Sequence, residues 1–135
     1  MLYISSKYIC HFIWYVQGCF VMEKKFYIPA SEIKPLIEGR GVCIASDEIT
    51  IEGKPVGFMY RDSPDDHVDS GWRFFSGDET QQYVDDPSHF ELYDLNTIAN
   101  YDPSIIIFLD SPVMSAFERN HESGELQPVP FPATG

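Results

Sequence analysis

The part of the sequence that most constrains the fold is residues 71–80, Gly-Trp-Arg-Phe-Phe-Ser-Gly-Asp-Glu-Thr. Trp and Phe are favoured in strands that are half buried in a sheet. Gly77 then permits a sharp turn, and the carboxylates of Asp78 and Glu79 suit the first turn of a helix, where they meet free backbone amides and the positive end of the helix dipole. This stretch therefore predicts a strand, a turn and a helix start in immediate succession.

The strongly acidic composition limits the possible partners. A chain of 135 residues suffices for about one domain, and 44% hydrophobic residues exclude a disordered chain. With 9 Lys and Arg against 21 Asp and Glu, the formal charge is -12. Such a field repels phosphate groups, so we expect no nucleic-acid partner. The acidic surface is either a solubility device or a complement to a basic protein, and the composition leaves both open.

Residues 1–21 differ in composition from the rest of the chain, since they are mostly apolar and aromatic and carry a charge only at Lys7. We expect an atypical N-terminal extension, with the native protein beginning near Met22. An added strand or helix and an export or anchoring signal are the alternatives. The apolar run is interrupted and short for a bilayer span, so we expect a cytoplasmic protein without stable membrane insertion.

The three cysteines match no zinc-binding, redox or disulfide spacing. We interpret them as reduced thiols. Cys43 follows Val42 in an apolar run, where a small buried side chain is expected and a nucleophile is not.

From Met22 onward the hydrophobic pattern alternates between short strands and short helices. We predict an α+β fold: a single domain over residues 22–120, with a mainly antiparallel sheet of about five strands and two or three short helices, followed by a loose tail at 121–135. The predicted elements are a strand at 26–28, a helix at 32–38, a strand at 41–45, a hairpin at 49–60, a polar loop at 61–70, a strand at 71–76, a helix at 78–84, a segment at 93–101, a helical turn at 103–109 and a last strand at 113–119. The residues predicted to contribute to the core are Ile44, Ile51, Phe58, Tyr60, Trp72, Phe74, Ile98 and Phe117.

Two clusters of acidic residues are candidates for a functional site. The first contains Asp62, Asp65, Asp66 and Asp69 with His67, and the second contains Asp78, Glu79, Asp85 and Asp86 with His89. Carboxylates can bind a hard cation, but the spacing matches no calcium or zinc motif, so we interpret both clusters as solvated acidic loops without metal or cofactor. No serine elbow or phosphate-binding glycine loop occurs, and we expect no enzymatic activity.

Arg73 is the unusual residue of the central stretch, because strand alternation places it on the opposite face of the sheet from Trp72 and Phe74. On a solvated face it needs no partner. If it is buried, its guanidinium should pair with a carboxylate. The candidate partners are Glu79, Asp94 and Glu118.

Several segments between roughly residues 41 and 120 resemble, in order, a family of small bacterial domains. That family was long catalogued as a domain of unknown function and is now described as immunity-protein-like, its members being inferred to neutralise polymorphic toxins. Many members carry glycine where this chain has Met114. The residues that carry the resemblance include Gly71, Trp72, Arg73, Phe74, Gly77, Asp78, Glu79, Asp94, Asn96, Asp110, Ser111, Pro112, Phe117, Glu118 and Arg119.

The resemblance implies that the protein binds and neutralises a cognate toxin. Together with the charge, it favours an acidic binding surface formed by the 61–70 loop and the region 78–89. The predicted toxin-binding residues are Asp62, Asp65, Asp66, Asp69, Asp78, Glu79, Tyr83 and Tyr93. A general protein-binding module and a metal-dependent enzyme that uses the Asp-rich loop are the alternatives.

Overall fold

The computed structural model describes residues 24–132, so the predicted extension at 1–21 lies outside the described residues. The described part is an α+β domain built on one sheet of six strands. The strands are β1 (Val42–Ser46), β2 (Phe58–Arg61), β3 (Asp69–Phe75), β4 (Phe90–Asp94), β5 (Ala116–Arg119) and β6 (Leu126–Val129). The predicted fold class is confirmed.

The strands lie in the order β4-β1-β3-β2-β5-β6, which places β3 near the centre of the sheet. β1 runs parallel to β3, and every other neighbouring pair is antiparallel, so the sheet is mixed. The additional strand is β6, which pairs with β5 although the sequence predicts a loose tail at 121–135. β5 itself begins at Ala116, after a turn over residues 112–115, and not at Val113 as predicted.

Three short α-helices accompany the sheet: α1 (Asp47–Thr50), α2 (Gln81–Val84) and α3 (Leu95–Tyr101). Each follows a residue whose side chain accepts a hydrogen bond from a backbone N–H of the first turn, and these residues are Ser46, Thr80 and Asp94. Short 3₁₀ helices lie at Ala30–Glu32, Pro87–His89 and Pro103–Phe108, and the last of them forms where the sequence predicts a helical turn. None of the helices within residues 24–132 is long and apolar enough to cross a bilayer.

The secondary-structure predictions are wrong where capping or tertiary contacts override the apolar pattern. The first arm of the predicted hairpin at 49–60 is not a strand, because Ser46 caps a helix there and the chain enters β2 only at Phe58. The predicted strand at 26–28 and helix at 32–38 do not form either. That segment has no regular structure apart from its 3₁₀ turn, and it packs along the helices instead of pairing with the sheet.

The sheet buries an apolar layer on each of its faces. On one face, Trp72 and Phe74 pack beneath α3 and the Pro103–Phe108 segment. On the other face, Tyr60 and Phe75 pack with Val84 of α2. All the predicted core residues are buried except Ile51, which is half buried at the end of α1.

Cys43 lies in β1 and is fully buried in the first of these layers. Burial raises the pKa of its thiol, so the group remains protonated at neutral pH. This agrees with the predicted role as a small buried apolar side chain.

Replacing Leu126 with alanine tests whether β6 is part of the folded domain. The Leu126 side chain is buried in the same layer as Phe117, so truncation removes apolar contacts and leaves a cavity. We expect the free energy of unfolding, measured in urea, to fall by about 2 kcal/mol or more. The matched control is Gln127→Ala, an exposed position in the same strand, which should change it by less than about 0.5 kcal/mol. Equal effects of the two substitutions would mean that β6 does not stabilise the domain.

Candidate functional site

The two predicted acidic regions lie at opposite ends of β3. The 61–70 loop joins β2 to the start of β3, whereas residues 78–89 follow its end. Because β3 has seven residues, the two ends are about 20 Å apart. The acidic side chains therefore form two separate surfaces and not one continuous surface.

At the first end, Asp69 and Arg73 form a buried ion pair. The Nη1 and Nη2 atoms of Arg73 each donate to one carboxylate oxygen of Asp69, both at 2.9 Å. Arg73 Nε has no hydrogen-bond partner among the described residues. Arg73 is thus buried and paired, but the predicted partners Glu79, Asp94 and Glu118 are wrong.

An irregular register between β1 and β3 brings these two charges together. Asp69 lies opposite Val42 and Arg73 lies opposite Ile44, so four steps along β3 match two steps along β1. Gly71 lies in this bulge with a φ of 87°, a conformation that favours glycine, and a Cβ there would collide with the backbone of the adjoining loop. Simple strand alternation does not reveal a bulge, and for this reason the sequence did not identify Asp69 as the partner.

The two charges of the pair stabilise each other. Burial alone would raise the pKa of Asp69, but the hydrogen bonds and the charge of Arg73 outweigh it, and this pKa is lowered. Burial likewise opposes the cation, yet Asp69 raises the pKa of Arg73. The backbone N–H groups of Asp65 and Gly71 also donate to Asp69, at 3.0 and 2.9 Å. The Asp69 carboxylate therefore holds the loop in place, and its side chain is almost completely shielded from solvent.

The other carboxylates of the 61–70 loop differ in exposure. Asp62 is buried and accepts a hydrogen bond from the N–H of Ser63 at 2.8 Å. Asp65 and Asp66 are exposed, and no described residue forms a salt bridge with either of them. Desolvation, together with the charges of the neighbouring carboxylates, raises the pKa of Asp65. Only Asp65 and Asp66 of the residues predicted at this end present their carboxylates to solvent.

At the other end of β3, Glu79 is buried and closes the turn. Its carboxylate accepts from the N–H groups of Ser76 and Gly77, at 2.8 and 3.0 Å. The sequence predicts that Glu79 and its neighbour lie in the first turn of a helix. The helix instead begins at Gln81 and is capped by Thr80, whose Oγ1 accepts from a backbone N–H at 3.1 Å.

Asp78 is exposed and lines a cleft of about 430 Å³ between this turn and the β5–β6 connection. The other charged or titratable residues of the cleft are Lys54, Glu118, Arg119 and His121. Lys54 Nζ lies 3.5 Å from Asp78 and 3.0 Å from Glu48, so its charge is matched inside the domain. Within residues 24–132, no group of three or more His, Cys, Asp or Glu residues is arranged to hold a metal ion.

The two tyrosines predicted as contact residues are both half buried. Tyr83 stacks on His89 with ring centroids 3.8 Å apart, and burial raises its pKa to about 12. Tyr93 lies in β4, where its hydroxyl donates to Thr50 Oγ1 at 3.0 Å and burial raises its pKa. Other residues of the domain therefore cover much of the surface of both tyrosine side chains.

Of two polar residues in the family-like segments, Asp94 stabilises the start of α3 and Asn96 positions the chain that precedes β1. Asp94 caps α3 by accepting from the N–H of Asn96 at 2.9 Å. Asn96 Oδ1 accepts from the N–H groups of Leu36 and Ile37, at 2.7 and 2.9 Å, and its Nδ2 donates to the carbonyl of Lys34 at 2.9 Å. Both side chains therefore have structural roles, although Asn96 is buried and Asp94 is exposed at the end of β4.

Asp102 has a structural role that the sequence did not reveal. Its carboxylate accepts from the N–H of Val56 at 2.9 Å, from Ser104 Oγ at 2.6 Å and from Arg119 Nη2 at 2.9 Å. The sequence signal Asp-Pro predicts a helix cap, which Asp102 also provides. The contacts to Val56 and Arg119 join segments that are distant along the chain, so no local pattern indicates them.

The segment 110–112 lies at the same end of the sheet as the 61–70 loop. The carbonyl oxygen of Ser111 accepts from Arg61 Nη1 at 2.8 Å. The carbonyl oxygen of Leu109 accepts from the indole Nε1 of Trp72 at 3.2 Å. Two of the family-like segments therefore meet where β3 begins.

Replacing Asp69 with asparagine tests the importance of the buried ion pair. The substitution leaves the Arg73 guanidinium buried without its counter-charge, so we expect the free energy of unfolding to fall by about 3 kcal/mol or more in urea denaturation. The matched control is Asp66→Asn, which is exposed and keeps the Oδ1 acceptor for Val68 and Asp69 N–H; it should cost less than about 0.5 kcal/mol. Similar losses in both variants would contradict a special role for Asp69.

The stability difference between the wild-type protein and Asp69→Asn should depend on pH. The pKa of Asp69 is lower in the folded chain than its ordinary value of 3.8. The contribution of the pair is therefore fully present above about pH 3.8 and is lost as the pH falls through the lower folded value. Urea midpoints of both proteins between neutral and strongly acidic pH measure this difference. A difference that grows on acidification would contradict the assignment.

Comparison with known proteins identifies the family. A model described as the Immunity protein Imm33 domain matches residues 43–130, a range that includes residues of all six strands. No curated protein and no solved structure matches the chain. The resemblance seen in the sequence segments is thereby confirmed, and the chain belongs to the Imm33 family of immunity proteins.

Proposed function

We propose that this protein binds a cognate toxin in the cytoplasm and blocks it by covering part of its surface, without catalysis. The observation that carries the proposal is the match to an immunity-protein family across the whole sheet. The three cysteines, whose spacing fits no disulfide framework, support a reducing compartment.

The charge of the chain indicates the chemistry of the toxin surface. The formal charge is -12, and exposed carboxylates occur at both ends of β3. They are Asp65 and Asp66 at one end and Asp78, Asp85 and Asp86 at the other. Such a field raises the association rate with a basic protein by a factor of roughly 10 to 1000 at low salt. A cationic toxin surface is therefore the partner that the composition favours.

The structural roles of the buried carboxylates and thiol support a protein that covers the toxin surface rather than one that catalyses a reaction. The carboxylates of Asp69, Glu79 and Asp102 accept hydrogen bonds from backbone N–H groups or from arginine, which holds them in fixed structural roles. The thiol of Cys43 is sealed in the core, and burial raises its pKa, so it supplies no thiolate nucleophile. These features favour a protein that acts through its outer surface.

Reversing two exposed charges tests the acidic surface. The partner is first sought by co-expressing this protein with the products of neighbouring genes. In the double variant Asp65→Lys with Asp66→Lys, we expect association with a toxin identified in that way to slow about tenfold at low salt, because these charges steer the encounter. The dissociation rate should change less. Surface plasmon resonance at low and high salt measures both rates, and the difference from the wild type should shrink as salt screens the charges.

The matched control is Glu122→Lys with Glu125→Lys, which changes the net charge equally on the exposed connection between β5 and β6. It should slow association less than the Asp65 and Asp66 variant and should keep the wild-type urea midpoint. The Asp65 and Asp66 variant loses the Asp66 Oδ1 acceptor for the N–H groups of Val68 and Asp69, so we expect it to lose about 1 kcal/mol of stability and to remain folded. If no product of a neighbouring gene is toxic or binds the wild-type protein, the proposal is wrong and a general protein-binding role replaces it.

A further inference from the structure

Three exposed apolar side chains lie at the end of the sheet where β3 begins. Val68 is 47% exposed, Val113 is 38% exposed and Met114 is 56% exposed. Val68 precedes β3, and the other two precede β5, which runs in the same direction because β2 is antiparallel to both. β3 and β5 are two strand spacings, about 10 Å, apart. We call these three side chains the apolar patch.

The backbone beneath the apolar patch is fastened to the sheet. The carbonyl oxygen of Val68 accepts from the N–H of Val42 at 2.8 Å, and the N–H of Met114 donates to the carbonyl oxygen of Arg61 at 2.7 Å. The Arg61 guanidinium donates to backbone carbonyls on both sides of it, at 2.9 and 2.8 Å. The apolar patch is a fixed surface, so a partner that binds there needs to order few residues.

Met114 has a φ of 76°, the only positive φ at a non-glycine residue within 24–132. A side chain with a Cβ is strained in this left-handed conformation, whereas glycine is not. Met114 is more than half exposed, so packing within the described domain offsets only part of the strain. The turn over residues 112–115, closed by the Ser115 N–H to the Pro112 carbonyl oxygen at 3.1 Å, accounts for the positive φ but not for a methionine in place of glycine. The choice of methionine therefore points to a role outside the domain's own stability.

Three exposed carboxylates lie in the segments that carry the apolar patch. Asp65 and Asp66 are exposed in the same loop as Val68 and form no salt bridge with any described residue. Asp110, whose side chain is 92% exposed, precedes Val113 and is paired with Arg40 at 2.7 Å. An apolar centre with acidic surroundings complements a protein surface on which Lys and Arg encircle an apolar contact.

The second acidic region lacks this combination. Of the large apolar side chains that are exposed within residues 24–132, none lies between residues 76 and 90. Its exposed carboxylates can attract a basic partner, but they offer no large apolar side chain whose burial would hold the complex together.

We infer that the apolar patch, with Asp65 and Asp66, is the surface on which the toxin docks, and that the toxin presents to it a basic face with an apolar centre. The inference rests on the proposed function. It assigns the lifetime of the complex to Val68, Val113 and Met114, and the speed of the encounter to the carboxylates, since buried central contacts govern dissociation and peripheral charges govern association.

The test uses single substitutions and a toxin identified among the products of neighbouring genes, purified in a catalytically inactive form. Val68→Ser and Met114→Gly should each weaken the affinity about fivefold or more, mainly through faster dissociation. Met114→Gly should at the same time keep or raise the urea midpoint, because glycine adopts a positive φ without strain. A residue that served only the fold would instead lose stability together with binding.

Two control variants test whether the loss of affinity is specific to the apolar patch. Ile107→Ser removes an 82% exposed apolar side chain that lies beside Gly124, Glu125 and Leu126, away from the apolar patch, and it should leave the affinity within about twofold of the wild type. Asp85→Lys with Asp86→Lys, at the other end of β3, should slow association and leave the dissociation rate near the wild-type value.

The possible outcomes separate this inference from the proposed function. If the wild type binds the toxin but Val68→Ser and Met114→Gly bind it equally well, or if Ile107→Ser loses as much affinity, the docking surface is wrong and the function stands. If the wild-type chain instead self-associates through the apolar patch and Val68→Ser abolishes that, the occupant is a second copy and the inference is wrong. A wild type that binds no neighbouring toxin contradicts both.

Discussion

The buried pair of Asp69 and Arg73 is the interaction on which the arrangement of the central sheet depends. A guanidinium with no exposure to water has lost its hydration, and only a bidentate carboxylate with further hydrogen bonds compensates for that loss. The pair requires the bulge at Gly71, and the bulge sets the parallel register between β1 and β3. The same carboxylate anchors the backbone of the loop before β3. One ion pair thus connects the register of the sheet to the shape of its surface loop.

The acidic residues of this chain fall into two groups with different physical roles. Asp69, Glu79, Asp94 and Asp102 each satisfy backbone N–H groups that short helices and tight turns leave without partners. The exposed carboxylates contribute to the external field, and some of them also accept backbone hydrogen bonds, as Asp66 does from the N–H groups of Val68 and Asp69. The net charge alone therefore overstates how many side chains can take part in recognition. Burial identifies Asp69, Glu79 and Asp102 as members of the first group, whereas Asp94 caps α3 although it is exposed.

Local signals in the sequence predicted the parts of the fold that local physics determines. Alternation in 71–76 correctly separated Trp72 and Phe74 from Arg73, and the Asp-Pro pair correctly indicated a helical turn after Asp102. The partner of Arg73 could not be predicted from the sequence, because the pairing depends on a bulge that forms only when β1 and β3 are paired. β6 was missed for a related reason: with Leu126 as its buried residue, its place in the sheet is determined by pairing with β5. For the candidate site, composition indicated the acidic regions, but their separation along β3 and the burial of Asp62, Asp69 and Glu79 required the three-dimensional structure.

The strand order has a consequence for how soon after translation the domain can act. β3 lies between β1 and β2, and β5 and β6 are added from the far end of the sequence, so the sheet is complete only after residue 129 has been made. At about 5 to 20 residues per second, the ribosome needs roughly 4 to 18 s to proceed from β1 to β6. Mixed sheets of this size fold in about a millisecond to a second once their strands are available. The time before a newly made domain can act is therefore governed by translation and not by folding, and within those seconds only protein that is already folded is available.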